Sequence, residues 1–293
     1  MKDPQSSPTG TAEWADQTLN VARGCRHGCL YCYARAEKLR WGQIDCGADW
    51  VHERVDARRV EKGYRKRKGT ILFPSAHDIT PGTVEACGIV LEKLLTAGNR
   101  VLIVTKADGP CCDEIRRRIE PWREASDADG RRQVTWRLSI GCLNETFRAW
   151  WEPGAPSIEM RIEVLRGLAR DGWQTSVSCE PLLEPWKAVE LVEAVCSHVT
   201  ETIWIGACRE LKARTAWCRA AFDAERFRLI RATAEHLARW QTPGVIRTVA
   251  RKLWRELDED VKERLRLKDS YAGPLREGGW RIDGGRVIQS PRM

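Results

Sequence analysis

Short runs of aliphatic and β-branched residues alternate along this chain with longer stretches whose apolar positions recur every three or four residues. The runs predict strands over residues 19–22, 70–73, 101–104, 134–140, 174–178 and 202–206. The intervening periodicity predicts helices over 33–41, 83–97, 158–170 and 186–199, with Gly98-Asn99 and Asp171-Gly172 as stop signals. Six strands separated by helices imply a parallel sheet with right-handed crossovers, whose ligands gather at the carboxyl ends of the strands. Those ends carry Ser75, His77 and Asp78 after the second strand, Thr105-Lys106 after the third and Cys179-Glu180-Pro181 after the fifth.

Beyond residue 208 the pattern changes. Residues 209–266 are dominated by Arg, Ala, Glu and Leu and read as helices, and the tail GPLREGGWRIDGGRV predicts a terminal hairpin. The expected organisation is therefore a core over 1–208 and a mainly helical C-terminal extension over 209–293.

Composition narrows the setting. At 293 residues and 42% hydrophobic the chain can bury a substantial core, which excludes a disulfide-stapled miniprotein and a wholly disordered chain. No apolar run approaches the roughly 18 residues of a membrane helix. The opening MKDPQSSPTG lacks the regions of a secretory signal, so a cytoplasmic protein without a membrane partner is expected. The formal charge is +8, and residues 52–69 concentrate it, with eight Lys/Arg against three Asp/Glu. Such a stretch is either a solvated loop or a phosphate-contacting patch.

Twelve cysteines in a reducing compartment point to metal or redox chemistry where they cluster, and to packing where they are scattered. Three cluster as Gly24-Cys25-Arg26-His27-Gly28-Cys29-Leu30-Tyr31-Cys32-Tyr33, a C-x-x-x-C-x-x-C loop. Three thiolates on one loop can hold three irons of a cubane and leave the fourth open. Zinc competes, with His27 or Cys46 as its nearest fourth ligand.

The Cys loop, with aromatic Tyr31 before its third Cys and a repeating strand–helix chain behind it, resembles the radical S-adenosylmethionine (radical SAM) superfamily over about residues 17–208. The resemblance implies a partial (β/α)6 barrel, a 4Fe-4S cluster on Cys25, Cys29 and Cys32, S-adenosylmethionine as cosubstrate and an external electron donor. Its activity would be reductive cleavage of S-adenosylmethionine to a 5′-deoxyadenosyl radical that abstracts hydrogen from a substrate. Ser75-Ala76-His77-Asp78-Ile79, Val104-Thr105-Lys106 and Leu138-Ser139 are similar to the spore photoproduct lyase-like branch. That likeness assigns cofactor contacts to Tyr31, Tyr33, Asp78, Lys106 and Ser139. It also makes nucleic acid or a nucleotide the first choice of substrate.

One position departs from the branch. Its hydrogen-returning cysteine corresponds to Ser75, and a hydroxyl hydrogen is far harder to abstract than a thiol hydrogen. Cys142 and Cys208 at the fourth and sixth strand exits, and Cys179 at the fifth, are the alternative thiols, with packing as their competing role. Other features have two readings each. His77 is a proton carrier or a structural histidine, and Glu180 a ribose ligand or a loop residue. Gly206 admits adenine or relieves crowding, and Trp150-Trp151 stacks on a base or fills the core. Two other functions stay open: a metal-stabilised nucleic-acid-binding module without radical chemistry, and radical modification of a protein or peptide.

Overall fold

The computed structural model describes residues 9–291. Its strands are β1 (Gln17–Thr18), β2 (Ala22–Arg23), β3 (Arg54–Val55), β4 (Thr70–Phe73), β5 (Arg100–Thr105), β6 (Val134–Ser139), β7 (Gln174–Cys179), β8 (Ile203–Ile205), β9 (Leu265–Leu267), β10 (Arg281–Asp283) and β11 (Arg286–Gln289). Seven form one sheet in the order β1-β4-β5-β6-β7-β8-β9, with every pairing parallel. Sequential order with crossovers of one hand stacks the helices on a single face, and the sheet curls into a half-barrel around the other. The expected α/β partial barrel is thus present, and so is the terminal hairpin, as antiparallel β10–β11.

Two expectations change at the ends of the sheet. The first sheet strand is Gln17–Thr18 rather than residues 19–22, because Ala22–Arg23 turns away to pair antiparallel with Arg54–Val55. The extension expected to be mainly helical contributes the seventh strand, β9, which pairs with β8 through Ile203↔Leu265 and Ile205↔Leu267. Three residues with two buried leucines flanking one arginine carry too little periodicity to separate from the helices around them.

Alternation along the strands divides the apolar side chains between two cores. Ile71, Phe73, Val101, Ile103, Trp136, Leu138, Val177, Ile203 and Ile205 join the large core under the helices. Leu72 and Leu102 point to the concave face and form a small separate cluster with Ala15, against which Trp14 and Val104 pack. The same face carries Arg137, buried over the edge-to-face pair Trp14 and Trp204 at 4.9 and 5.4 Å from their centroids. A polar group buried at that depth must be held by partners, and Ser176 Oγ accepts from Arg137 Nε at 2.9 Å.

Residues 10–14 are fastened to this face by the far end of the chain. Lys268, buried just after β9, donates to the carbonyl of Gly10, pairs with Glu13 at 3.1 Å and lies 4.0 Å from the Trp14 centroid. No helix of the described residues is long and apolar enough to cross a membrane.

Candidate active site

The cysteine loop runs from the end of β2 to the start of helix Tyr33–Arg40, and backbone bonds grip it from two sides. Cys25 N donates to Trp50 O at 2.7 Å. On the other side Leu30 N donates to Trp151 O at 2.8 Å, and Gly154 N to His27 O at 2.9 Å. Gly24 is required here: its φ is 88°, and a Cβ would run into the carbonyl oxygen of His52. At Gly154 a Cβ would strike the carbonyl of Arg26, so the second segment can approach only as a glycine. Cys32 caps the helix, its Sγ accepting from Arg35 N at 3.5 Å.

The loop opens onto a cavity of about 730 Å³ on the concave side of the sheet. All eight residues the sequence assigns to cluster and cofactor line it: Cys25, Cys29, Cys32, Tyr31, Tyr33, Asp78, Lys106 and Ser139. Strands β4, β5 and β6 deliver the last three from their carboxyl ends, as parallel order demands.

Electrostatics separates their roles. Lys106 projects from a turn held by left-handed Ala107 (φ 58°), whose N–H donates to Thr105 Oγ1 at 3.0 Å. Among the described residues no carboxylate is within ion-pair distance of its Nζ and no acceptor binds it. Burial alone would lower the Lys106 ammonium, but Cys29, Glu152 and Asp78 around it hold it above its ordinary range. It is a charged donor facing open space.

Asp78 is the opposite case. Its Oδ1 accepts from Ile79 N at 2.8 Å and from Thr105 Oγ1 at 2.6 Å, and its Oδ2 accepts from Lys106 N at 3.0 Å. His27 Nδ1 lies 3.3 Å from Oδ2, too poorly aligned for a hydrogen bond. Burial raises this carboxyl, yet His27, Lys106 and Thr105 outweigh it and hold Asp78 well below the usual carboxylate range. Asp78 is an anion with little acceptor capacity left for a ligand.

Tyr31 donates to Glu152, which is 2% exposed and ion-paired with the fully buried Arg161. Tyr33 donates to the carbonyl of Ser75. Neither Glu152 nor Arg161 was legible as part of the site, since a Glu-Pro-Gly turn after two tryptophans resembles any loop. Burial raises the thiols of Cys25 and Cys29, that of Cys29 to about 12, so a metal binding here would have to displace their protons.

The two expected metals make different demands on the donor set. Among the described residues no three His, Cys, Asp or Glu side chains gather as one ion requires. His27 turns to Asp78, and Cys46 precedes the helical turn Gly47–Val51 outside the cavity lining. A cubane makes a different demand, because each thiolate meets its own iron and the three sulfurs surround a volume. Three cavity-lining cysteines on one loop, with buried cations nearby, supply the donor chemistry such a cluster needs.

The remaining candidates resolve individually. His77 is structural: Nε2 accepts from Val21 N and Ala22 N at 3.1 and 3.2 Å, and Nδ1 faces Asp78 O at 2.9 Å. Ser75 lines the cavity, its Oγ accepting from Asn20 Nδ2 at 2.8 Å. Cys208 lines the cavity, with Arg214 Nη1 at 3.9 Å from its Sγ, whereas Cys142 and Cys179 are buried outside the lining. Glu180 lines the cavity and lies 3.5 Å from Lys268 Nζ, and a Cβ on Gly206 would crowd both side chains. Trp151 is core, and Trp150 Nε1 donates to Thr233 Oγ1 at 3.1 Å.

A scan of the chain against models of known protein families finds no match. The uncharacterized protein ORF301 of Acidianus two-tailed virus is 29% identical over 191 residues, 61% of this chain and 59% of that protein. The chain thus spans less than two thirds of the curated relative it matches. Among solved structures, it is similar to a tyrosine-to-phenylalanine mutant of spore photoproduct lyase at 13% identity, TM-score 0.45, covering 75% of this chain and 72% of that one. It is also similar to a cysteine-to-alanine mutant of spore photoproduct lyase with dinucleoside spore photoproduct, at 16% identity, TM-score 0.42, covering 74% and 60%.

Proposed function

We propose that this chain is a radical S-adenosylmethionine enzyme with a four-iron–four-sulfur cluster held by Cys25, Cys29 and Cys32. The observation that carries the reading is the convergence of those cysteines with uncommitted Lys106 on one cavity at the carboxyl ends of parallel strands. When bound and reduced, the cluster supplies the electron that cleaves S-adenosylmethionine and starts hydrogen abstraction.

The chain's own residues bind, orient and exclude. Lys106 offers a point charge to the carboxylate of the methionyl moiety. Ser139 supplies a hydroxyl on the neighbouring strand, and the rings of Tyr31 and Tyr33 wall the site on either side of Cys32. Asp78 acts mainly as a positioning residue, fixing the Lys106 backbone and His27 of the cysteine loop. The tyrosine hydroxyls are tied to Glu152 and Ser75, which keeps both rings in place and limits water around the thiols.

The substrate we favour is nucleic acid or a nucleotide. Arg54, Arg58, Arg59, Lys62, Arg65, Lys66 and Lys68 are exposed, in the segment of strand, short helix and loop that follows the cysteine-loop support. Arg40 lines the cavity beside Trp41, which is 70% exposed. Anaerobic reconstitution followed by reduction with dithionite and S-adenosylmethionine tests the enzyme. 5′-Deoxyadenosine should form, and Cys32→Ala should abolish it; an intact four-iron cluster that releases none would end the proposal.

A further inference from the structure

Arg35 lies three residues beyond Cys32, in the first turn of helix Tyr33–Arg40, and is 1% exposed. None of its Nε, Nη1 and Nη2 atoms has a hydrogen-bond partner among the described residues. A guanidinium presents five N–H donors, and burying them unpaired is costly. The group nevertheless has a definite orientation. Its central carbon stands 3.9 Å from the centroid of the Trp217 ring, and Nη2 would be 3.8 Å from a Cβ on Gly28, inside the cysteine loop. Trp217 is itself fixed, its Nε1 donating to Leu30 O at 3.3 Å. A buried cation with idle donors, braced by an aromatic ring against a loop of three thiols, implies an anionic partner on that loop.

We infer that Arg35 is a positioning residue for the cluster: its guanidinium, clamped on Trp217, donates to the sulfur-rich anion on the cysteine loop and offsets its charge. This deepens the reading under Proposed function and rests on it. Reduction makes that anion more negative, so a fixed cation stabilises the reduced form more than the oxidised one. Net charge and hydrogen bonds to sulfur are the recognised controls on such potentials. Trp217 thereby makes the region beyond residue 208 part of the cofactor site.

The test is an anaerobic redox titration followed by electron paramagnetic resonance, with iron and sulfide content measured on the same samples. Wild type is compared with Arg35→Lys, Arg35→Gln, Arg35→Met and Trp217→Phe, each checked for folding by circular dichroism. Both neutral variants should load iron yet show a lower midpoint. The expected change is at least tenfold in the reduced-to-oxidised ratio at fixed potential, about 59 mV for one electron. Arg35→Lys should recover most of the shift, and Trp217→Phe should stay near wild type because it keeps a ring.

A wild-type midpoint in whichever neutral variant loads overturns the inference. Should neither neutral variant load while Arg35→Lys does, the charge requirement is supported. Should all three Arg35 variants fold but fail to load, the role is structural and the inference falls. A wild-type chain that takes up no four-iron cluster defeats the underlying enzyme reading instead, before any variant is compared.

Discussion

Tyr31, in the middle of the cysteine loop, donates its hydroxyl hydrogen to Glu152, 121 residues further along the chain. Arg161 grips the same carboxylate from helix Ile158–Arg170, so a three-residue buried network stands behind the thiols. Glu152→Ala would leave Arg161 charged and unpaired. Breaking a buried pair in this way costs about 3–5 kcal/mol. Urea unfolding of the metal-free protein should show a loss of that order. Faster reaction of Cys29 with a thiol reagent should accompany it; unchanged Cys29 reactivity would disconnect the network from the loop.

Lys106 separates binding from assembly. Lys106→Met removes the free charge while keeping the length of the side chain. The reconstituted variant should retain wild-type iron content but bind S-adenosylmethionine about 30-fold more weakly, the equivalent of about 2 kcal/mol. Calorimetric titration checks this, and equal affinity in the two proteins would remove the carboxylate contact.

His77 predicts a pH dependence of folding. Burial, the largest influence, lowers its pKa below 6.5 despite the favourable contacts with Asp78. The unfolded chain therefore takes up a proton near pH 6.5 that the folded chain refuses. Stability attached to His77 is full above that value and lost as pH falls from it toward the folded pKa. His77→Gln should be less stable at pH 7.5 but lose less on going to pH 5.5. Parallel curves for the two proteins would contradict the neutral histidine.

Cys208 and Cys142 should differ in kind. Burial raises the Cys208 thiol to about 12, which keeps it as S–H at neutral pH, the form that can give a hydrogen atom to a carbon radical and become a thiyl radical. Only Cys208 of the two lines the cavity. With a substrate in hand and the reaction run in D2O, Cys208→Ala should abolish solvent deuterium in the product, whereas Cys142→Ala should alter stability only. Deuterium persisting without Cys208 would exclude it as the donor.

The basic segment and Trp41 predict salt-dependent binding of single strands. Each phosphate contact adds about 0.7 to the slope of log affinity against log salt. Arg58→Glu with Lys62→Glu and Arg65→Glu should flatten that slope by about 2. Trp41→Ala should cost about 1–3 kcal/mol of affinity if a base stacks there. Fluorescence anisotropy with a labelled oligonucleotide decides, and a slope unaffected by charge reversal would favour a protein or peptide substrate.

The parts of this molecule that were legible in the sequence are those written in contiguous residues. Strands such as Arg100–Thr105 announce themselves by a solid apolar run, and the cysteine spacing is local. Parallel order then brings Asp78, Lys106 and Ser139 to one end, so their grouping follows from topology. What escaped depends on pairs distant in sequence: Tyr31 with Glu152, Arg35 with Trp217, and Lys268 with Glu13. No local pattern marks a buried Arg or Lys as such, because its partner defines it. The strand Leu265–Leu267 was hidden for a related reason, since its identity comes from the neighbour it pairs with.

The tie from Lys268 to Gly10 and Glu13 bears on biosynthesis. A ribosome releases the glutamate long before the lysine that meets it, so the nascent barrel stands open while the cysteine loop is already outside the tunnel. Gly10 and Lys268 both line the cavity, so that wall is completed only when the last parallel strand docks, and until then the cysteine loop is at its most accessible.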